Sequence, residues 1–331
     1  MLALPEPWAK EGTLEAAVRM ILTDLCTGET QDLRAHVDLA REIAGQLGGL
    51  SSPGLSGILA RLVVVADLAT AVALETPPSH SPDDLAAYTG LSLSTASSPP
   101  AAAAPVPPSI PPLLDAPTAA MLKDVHFLLN TVLALPQPPS PWALRKVQSM
   151  ARWLHGRLSA GPTTTTITTT TAEEAVDGML LPLPSSALPQ QQQQRGYVYP
   201  NPLHRAVQLA ALVYCRAIDR RQPCSAVAGQ QEVVGLAEAV AAVPLDIWDG
   251  GSTNNNNNNN SSSSGSSMLG TLLLVLAAVL PAARDGDADL RCARQVWVMM
   301  VAAAVQLAVT DWGDAVAALG RVVKLHAWLR G

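Results

Sequence analysis

Residues 52–74 read SPGLSGILARLVVVADLATAVAL, and this stretch decides the fold. Apolar side chains occupy almost every position around the helix that it would form, so no face of that helix favours contact with water. Ser52 and Pro53 provide the start, because a proline in the first turn loses no hydrogen bond that the helix would have made. We therefore expect a helix at about 53–74 that lies at the centre of the protein.

Two more apolar runs lie towards the C terminus. Residues 268–283 read MLGTLLLVLAAVLPAA, and Val296–Val309 is almost as apolar. A helix that crosses a membrane needs about 20 apolar residues, and both runs are shorter. Pro281 interrupts the first run and Gln306 the second. We expect two helices that share one soluble core with the central helix, and a membrane hairpin is the alternative.

The rest of the foldable sequence has the spacing of amphipathic helices, and no segment alternates convincingly with period two. The first of these helices is expected to begin at Thr13, and the second to stop at Gly48-Gly49. A short helix is expected to begin at Ser81, and further helices at about 117–135, 140–158, 202–221, 230–243, 268–282, 288–309 and 311–330. The fold class predicted is all-α, an antiparallel helical domain with long low-complexity loop insertions.

Composition limits the size of that domain. The chain has 331 residues, of which 48 % are hydrophobic and only 15 % are charged. Three low-complexity tracts have too little apolar surface to offset chain entropy, and about 250 residues remain for one large domain or two small ones. The predicted organisation is N-terminal helices at 1–91, a Pro/Ala-rich linker at 92–115, a helix pair at 116–159, a Thr/Gln insertion at 160–199, helices at 200–248, an Asn/Ser insertion at 249–267 and C-terminal core helices at 268–331.

Net charge and cysteine usage exclude several classes of protein. The formal charge of −6 argues against an autonomous nucleic-acid binder, which normally has a basic face. Cys26, Cys215, Cys224 and Cys292 form no closely spaced pair, so we expect neither a disulfide scaffold nor a structural zinc site. Buried, reduced thiols fit a reducing compartment, and the first residues have no pattern of a secretory signal.

The sequence contains no recognisable catalytic motif: no phosphate-binding glycine loop, no H-E-x-x-H and no G-x-S-x-G. Asp83 and Asp84 follow Ser81, and acidic residues at a helix start favour the helix dipole, so capping explains them better than a metal. Each histidine is expected to be a surface or hydrogen-bonded core residue, namely His36, His80, His126, His155, His204 and His326. We therefore predict no enzyme, no catalytic residue, no cofactor and no metal.

For the clustered basic residues and the tryptophans, we also expect structural roles rather than a binding site. Arg216, Arg220 and Arg221 cluster at a helix end, where cations complement the dipole, and three charges do not suffice for duplex binding. The tryptophans could line a small-molecule pocket, but ordinary core packing is the expectation. That expectation covers Trp142, Trp153, Trp297, Trp312 and Trp328.

Taken in order, the helical segments resemble the regulatory (fungal-specific transcription factor) domain of fungal binuclear zinc-cluster transcription factors. The N-terminal match is LTDLCTGET at 22–30 with RAHVDLAR at 34–41. Later segments are similar to the family's other helices: 123–129 with 147–155, RAVQLAALVYCRAI at 205–218, 268–285, and 307–312 through 328–330.

The resemblance implies a nuclear, non-enzymatic regulatory and partner-binding domain. Members usually carry a module in which six cysteines hold two zinc ions, and this sequence of four cysteines lacks that module. The implied partners are protein co-regulators or a DNA-binding partner, with no direct nucleic acid contact, and the resemblance also allows a small-molecule effector and a homodimer. The alternatives are a generic helical scaffold in the cytoplasm without transcriptional role and, behind it, a membrane-associated protein.

Overall fold

The computed structural model describes residues 6–52, 55, 57–89, 114–160, 201–248, 268–284 and 290–331. Every regular element in these ranges is a helix, so the all-α prediction is confirmed. The α-helices are α1 (Glu6–Thr27), α2 (Leu33–Gln46), α3 (Gly57–Leu74), α4 (Pro82–Thr89), α5 (Ala116–Leu133), α6 (Pro141–Ser159), α7 (Pro202–Arg220), α8 (Cys224–Val227), α9 (Gln230–Ala241), α10 (Leu245–Trp248), α11 (Met268–Ala277), α12 (Leu290–Thr310) and α13 (Trp312–Arg330).

Helices α3 and α11 form the interior. Every residue of α11 is buried, and α3 is buried continuously from Val63 to Ala73. Helices α12 and α13 each pack against both of them, and α1 and α2 also pack on α3. All of these helices contribute to a single hydrophobic cluster. The expected central helix therefore lies in the core, together with the two C-terminal apolar helices.

Helices α3 and α13 run in the same direction. At their N-terminal ends, the Arg61 guanidinium lies 5.8 Å from the ring centre of Trp312. At their C-terminal ends, Arg330 Nη1 donates a hydrogen bond of 2.7 Å to the carbonyl oxygen of Glu75. Because their N-terminal ends lie together and their C-terminal ends lie together, the two helices are parallel. They are nevertheless far apart in sequence.

Helices α6 and α7 are antiparallel neighbours. Gln148, early in α6, donates through Nε2 to the carbonyl oxygen of Asp219 at 2.8 Å. Gln208, early in α7, donates to the carbonyl oxygen of Leu158 at 2.7 Å. These two bonds join the beginning of each helix to the end of the other, and they fix the register of the pair.

The N-terminal helix begins earlier than its sequence pattern indicated. Thr13 was expected to cap it, but α1 already begins at Glu6 and Thr13 lies inside it. The residues Pro5, Glu6 and Pro7 explain the difference, because prolines fit only the first turn of a helix.

Helix α11 is shorter than the helix expected at 268–282. It ends at Ala277, and a short 3₁₀ turn, Ala282–Arg284, follows. Pro281 accounts for this end, because its ring clashes with the carbonyl of the residue four positions earlier, which is Ala277. The short helices α8 and α10 were not expected, and nearly all of the three low-complexity tracts lies outside the described residues.

Two helices of the described ranges are long and apolar enough to cross a membrane by length and composition, α3 and α12. Within the fold, 72 % of the apolar window of α3 and 50 % of that of α12 is buried against protein. Burial of this kind is also typical of core helices in soluble proteins.

One buried carboxylate ties the loop after α3 to the core. Asp67 is 1 % exposed and accepts hydrogen bonds from the backbone N–H groups of Ser79 (2.7 Å) and His80 (2.9 Å). The Nδ1 atom of His80 lies 2.9 Å from the same carboxylate. The carboxylate of Asp67 thus accepts hydrogen bonds from two backbone N–H groups that would otherwise be buried without a partner.

We predict that Asp67→Ala lowers the free energy of unfolding by about 3 kcal/mol, because it leaves buried donors unsatisfied. Urea unfolding followed by circular dichroism measures this change. Glu15→Ala is the control, since Glu15 pairs with Arg19 at 2.5 Å on the exposed surface of α1 and its loss should cost about 1 kcal/mol or less. Equal losses in the two variants would contradict the role assigned to Asp67.

Candidate functional site

The outer face of α6 carries two exposed tryptophans. Trp142 is 66 % exposed and Trp153 is 62 % exposed, so the expectation of core packing is wrong for both, whereas Trp297 and Trp328 are buried as expected. On the neighbouring helix α5, Phe127 is 65 % exposed. Exposed aromatic side chains of this size mark interaction surfaces when they lie on one face.

The same face is basic. Lys146 Nζ lies 5.3 Å from the ring centre of Trp142, and the Arg157 guanidinium lies 4.7 Å from that of Trp153. Each cation follows its tryptophan by four residues, the spacing that brings two side chains together on a helix. Helix α6 also carries Arg145 and Arg152 and contains no acidic residue. We call Trp142, Lys146, Trp153 and Arg157 the α6 face.

Neighbouring charges keep this surface positive but do not leave every cation free. Arg157 pairs with Asp124 of α5, and Arg152 lies 3.2 Å from Asp219 of α7. The pKa of His155 is lowered by its partial burial first and then by Arg216 and Arg220, against the opposing effect of Asp219. More cations than carboxylates thus surround α6, in a chain whose net charge is −6.

A surface cleft of about 390 Å³ lies between α2 and α4 and is lined by Arg41, Leu50, His80 and Asp84. Two of its polar side chains already have partners. Arg41 donates to the carbonyl oxygen of Ser79 at 3.3 Å, and Asp67 holds the His80 ring, whose Nε2 is covered and has no protein partner. The cleft is large enough for a small molecule, and Ser51 also lines it. Because His80 Nε2 has no hydrogen-bond partner, no serine–histidine pair forms there among the described residues.

A small polar cavity lies between α5, α11 and α13. It has a volume of about 40 Å³ and is lined by His126, Thr271, Asp314 and Arg321. Nδ1 of His126 and Oγ1 of Thr271 are buried there without a protein hydrogen-bond partner. Burial first and the nearby Arg321 second lower the pKa of His126 to about 4. This volume suits a water molecule rather than a metabolite.

A third group of polar side chains lies inside the protein, where α8 and α13 meet the end of α3. Glu75 directly follows α3, Cys224 begins α8, and His326 lies in the last third of α13. One carboxylate oxygen, the thiol sulfur and one ring nitrogen all lie within 4.8 Å of one another. We call these three residues the Glu75–Cys224–His326 cluster.

The cluster is mostly buried, and Glu75 is its one partly exposed member, with 12 % of its side chain accessible. Cys224 and His326 are 0 % and 2 % exposed. The Glu75 carboxylate accepts hydrogen bonds from Ser225, through its backbone N–H at 3.3 Å and its hydroxyl at 2.5 Å. Burial first and Arg330 second lower the pKa of His326 to about 3, and burial followed by Glu75 raises the pKa of the Cys224 thiol.

Most other polar residues that the sequence singled out have structural partners. Ser81 Oγ caps the Asp84 N–H at 3.0 Å, as expected. His204 lies 2.9 Å from Thr118 Oγ1. Arg216, expected to serve the helix end, instead pairs with Glu232 of α9 at 2.6 Å. The expectation of satisfied core histidines is wrong for His326, neither of whose ring nitrogens has a partner, and it holds only in part for His80 and His126, each of which has one buried ring nitrogen without a partner.

The α6 face and the cluster were both missed by sequence reasoning. For the face a signal existed, since α6 has two tryptophans, four Arg or Lys residues and no acidic residue. For the cluster there was none, because more than a hundred residues separate each of its members from the next. The expectation of no metal site considered only closely spaced ligands, which is why it did not consider this group.

The four cysteines of the chain are free, and Cys215 and Cys224 are buried while Cys26 and Cys292 are half-buried. Comparison with protein-family models, curated proteins and solved structures found no match for this chain. The resemblance to a fungal regulatory domain therefore stays a prediction from the sequence segments that carry it.

The His126 cavity generates a pH prediction. An unfolded chain protonates His126 near pH 6.5, whereas the folded chain does so only near pH 4, so protons bind the unfolded state between these values. The stability contribution of neutral His126 is thus lost as the pH falls through that window. When the pH falls from 7 to 4, the free energy of unfolding of the wild type should therefore decrease by up to about 3 kcal/mol more than that of His126→Gln. Urea unfolding of the two proteins at each pH measures this difference. Parallel stability curves for the two proteins would contradict the assignment.

Proposed function

We propose that this chain is the regulatory, partner-binding domain of a nuclear transcription regulator and that it acts without catalysis, through protein contacts. The observation that carries the proposal is the α6 face, where Trp142 and Trp153 stand exposed with a cation against each ring. The resemblance of the helical segments to a fungal regulatory domain supplies the transcriptional role. DNA recognition then falls to a partner or to another module.

The partner that fits the α6 face is an acidic peptide segment with apolar side chains. Tryptophan and arginine are the residues that most often dominate binding energy at protein interfaces. The two tryptophans are eleven residues apart, about 16 Å along the helix, which matches about three turns of a helical peptide. Acidic side chains of such a peptide would pair with Arg145 and Lys146, while its apolar side chains cover the indole rings.

An acidic peptide suits this surface better than a continuous polyanion. Asp124 and Asp219 lie against Arg157 and Arg152, so carboxylates flank the basic residues. A nucleic acid or an anionic membrane presents dense negative charge that these carboxylates and the net charge of −6 would repel. A peptide can place its few acidic residues opposite the cations alone.

The transcriptional part is tested with the full chain fused to an unrelated DNA-binding domain beside a reporter gene. We expect the fusion to change reporter transcription severalfold, and the double variant Trp142→Ala/Trp153→Ala to remove that change at equal protein level. Ile58→Ala is the matched control, because Ile58 is 57 % exposed on another helix. A wild-type fusion that leaves the reporter unchanged would contradict the transcriptional role.

The partner chemistry is tested by fluorescence anisotropy with a labelled amphipathic peptide of alternating Asp/Glu and Leu/Phe residues. The double tryptophan variant should weaken binding by roughly several hundredfold, since each of the two anchors contributes about 2 kcal/mol. Added salt should weaken it further. Tighter binding to a single-stranded oligonucleotide or to phosphatidylserine vesicles than to the peptide would contradict the acidic-peptide partner.

A further inference from the structure

We infer that the Glu75–Cys224–His326 cluster is a binding site for one zinc ion, which joins α3, α8 and α13 inside the protein. The three side chains supply oxygen, sulfur and nitrogen, the donor types that zinc takes in proteins. Their ligand atoms lie within 4.8 Å of one another, and a zinc ion holds such donors at about 2.0–2.3 Å. Small side-chain shifts therefore bring all three onto one ion, with a water molecule completing a tetrahedron.

His326 is the independent sign that a ligand belongs here. Its side chain is 2 % exposed, and neither ring nitrogen has a hydrogen-bond partner. Nε2 points towards Glu75, 3.8 Å from Oε1, which is beyond hydrogen-bond distance. A buried imidazole normally has a hydrogen-bonded partner, and leaving one without costs free energy. A metal ion bonded to Nε2 would satisfy that nitrogen in its neutral form, which is the form that binds metals.

Charge balance favours a divalent cation. A Cys224 thiolate and a Glu75 carboxylate together carry two negative charges, which the charge of a Zn²⁺ ion would neutralise. The thiol proton leaves to solvent when the sulfur bonds the metal. Arg330 is the cation that faces the cluster, since its guanidinium influences His326 and donates to the carbonyl oxygen of Glu75. Arg330 itself is exposed, so water screens its positive charge more than it screens the buried ligands.

Hydrogen bonds from a neighbouring residue hold the Glu75 carboxylate in place, as is usual for a carboxylate that binds a metal. Ser225 holds both carboxylate oxygens, through its backbone N–H and its hydroxyl. Hydrogen bonds of this kind orient a ligating carboxylate and are typical of metal sites in proteins. The backbone of Glu75 has φ 51°, in the left-handed region where glycine is favoured. The chain thus places a carboxylate at a position where glycine would be less strained.

The inference is tested on the full chain, purified without chelator and dialysed, by metal analysis. We expect about one zinc ion per chain, its loss on treatment with a strong chelator, and a lower melting temperature for the stripped protein. Co²⁺ added to stripped protein should give the near-ultraviolet thiolate-to-cobalt charge-transfer band. Zinc content that stays below about a tenth of an ion per chain after zinc addition, with no cobalt band, would overturn the inference.

Matched variants separate the metal site from general packing. Cys224→Ala should abolish zinc binding and the cobalt band, whereas Cys215→Ala, which removes a thiol that is 1 % exposed, should keep both. Glu75→Gln keeps the shape and one of the two acceptor oxygens for Ser225 but lowers zinc affinity by about tenfold or more. This variant decides the question if Cys224→Ala does not fold. Wild-type zinc affinity in Glu75→Gln, or a cobalt band retained in a folded Cys224→Ala, would overturn the assignment of these ligands.

Discussion

The burial of α3 and α11 is the constraint on which the rest of the structure depends. Neither helix has a polar face, so each must be covered by other helices on all sides. Helices α12 and α13 provide much of this cover because they contact both. At about 25 cal/mol for each Å² of apolar surface removed from water, this burial is the main favourable term that holds the N-terminal and C-terminal parts of the chain together.

That constraint also gathers the buried polar chemistry at one place. The second half of α3 and the loop after it carry Asp67, Glu75 and His80. Asp67 binds His80 across the turn after α3, and Glu75 binds Ser225, which is 150 residues away in sequence. Because α13 runs parallel to α3, its C-terminal turns bring His326 and Arg330 to the same end. The proposed zinc site is thus a consequence of the parallel packing of two helices that no local motif connects.

Sequence patterns predicted most of the helices because each depends on spacing within a few turns and on local start and stop signals. Ser140 and Asp115 cap α6 and α5 as such signals imply. The predicted bounds were wrong at the start of α1 and at the end of α11. At both places prolines limit the helix, and the spacing of apolar residues does not show that limit. Exposure of Trp142 and Trp153 was not predicted, because apolar character alone does not say which face a neighbouring helix covers. The assembly of Glu75, Cys224 and His326 could not be predicted, since it depends on tertiary packing.

The most direct test of the packing claim is native-state hydrogen exchange on the full chain in solution without lipid or detergent. If α3 and α11 form the common interior, their amides should exchange only through global unfolding and share the highest protection in the molecule. The outer turns of α6 should exchange much faster. Rapid exchange of α11 while α3 stays protected would contradict a single core built on these two helices.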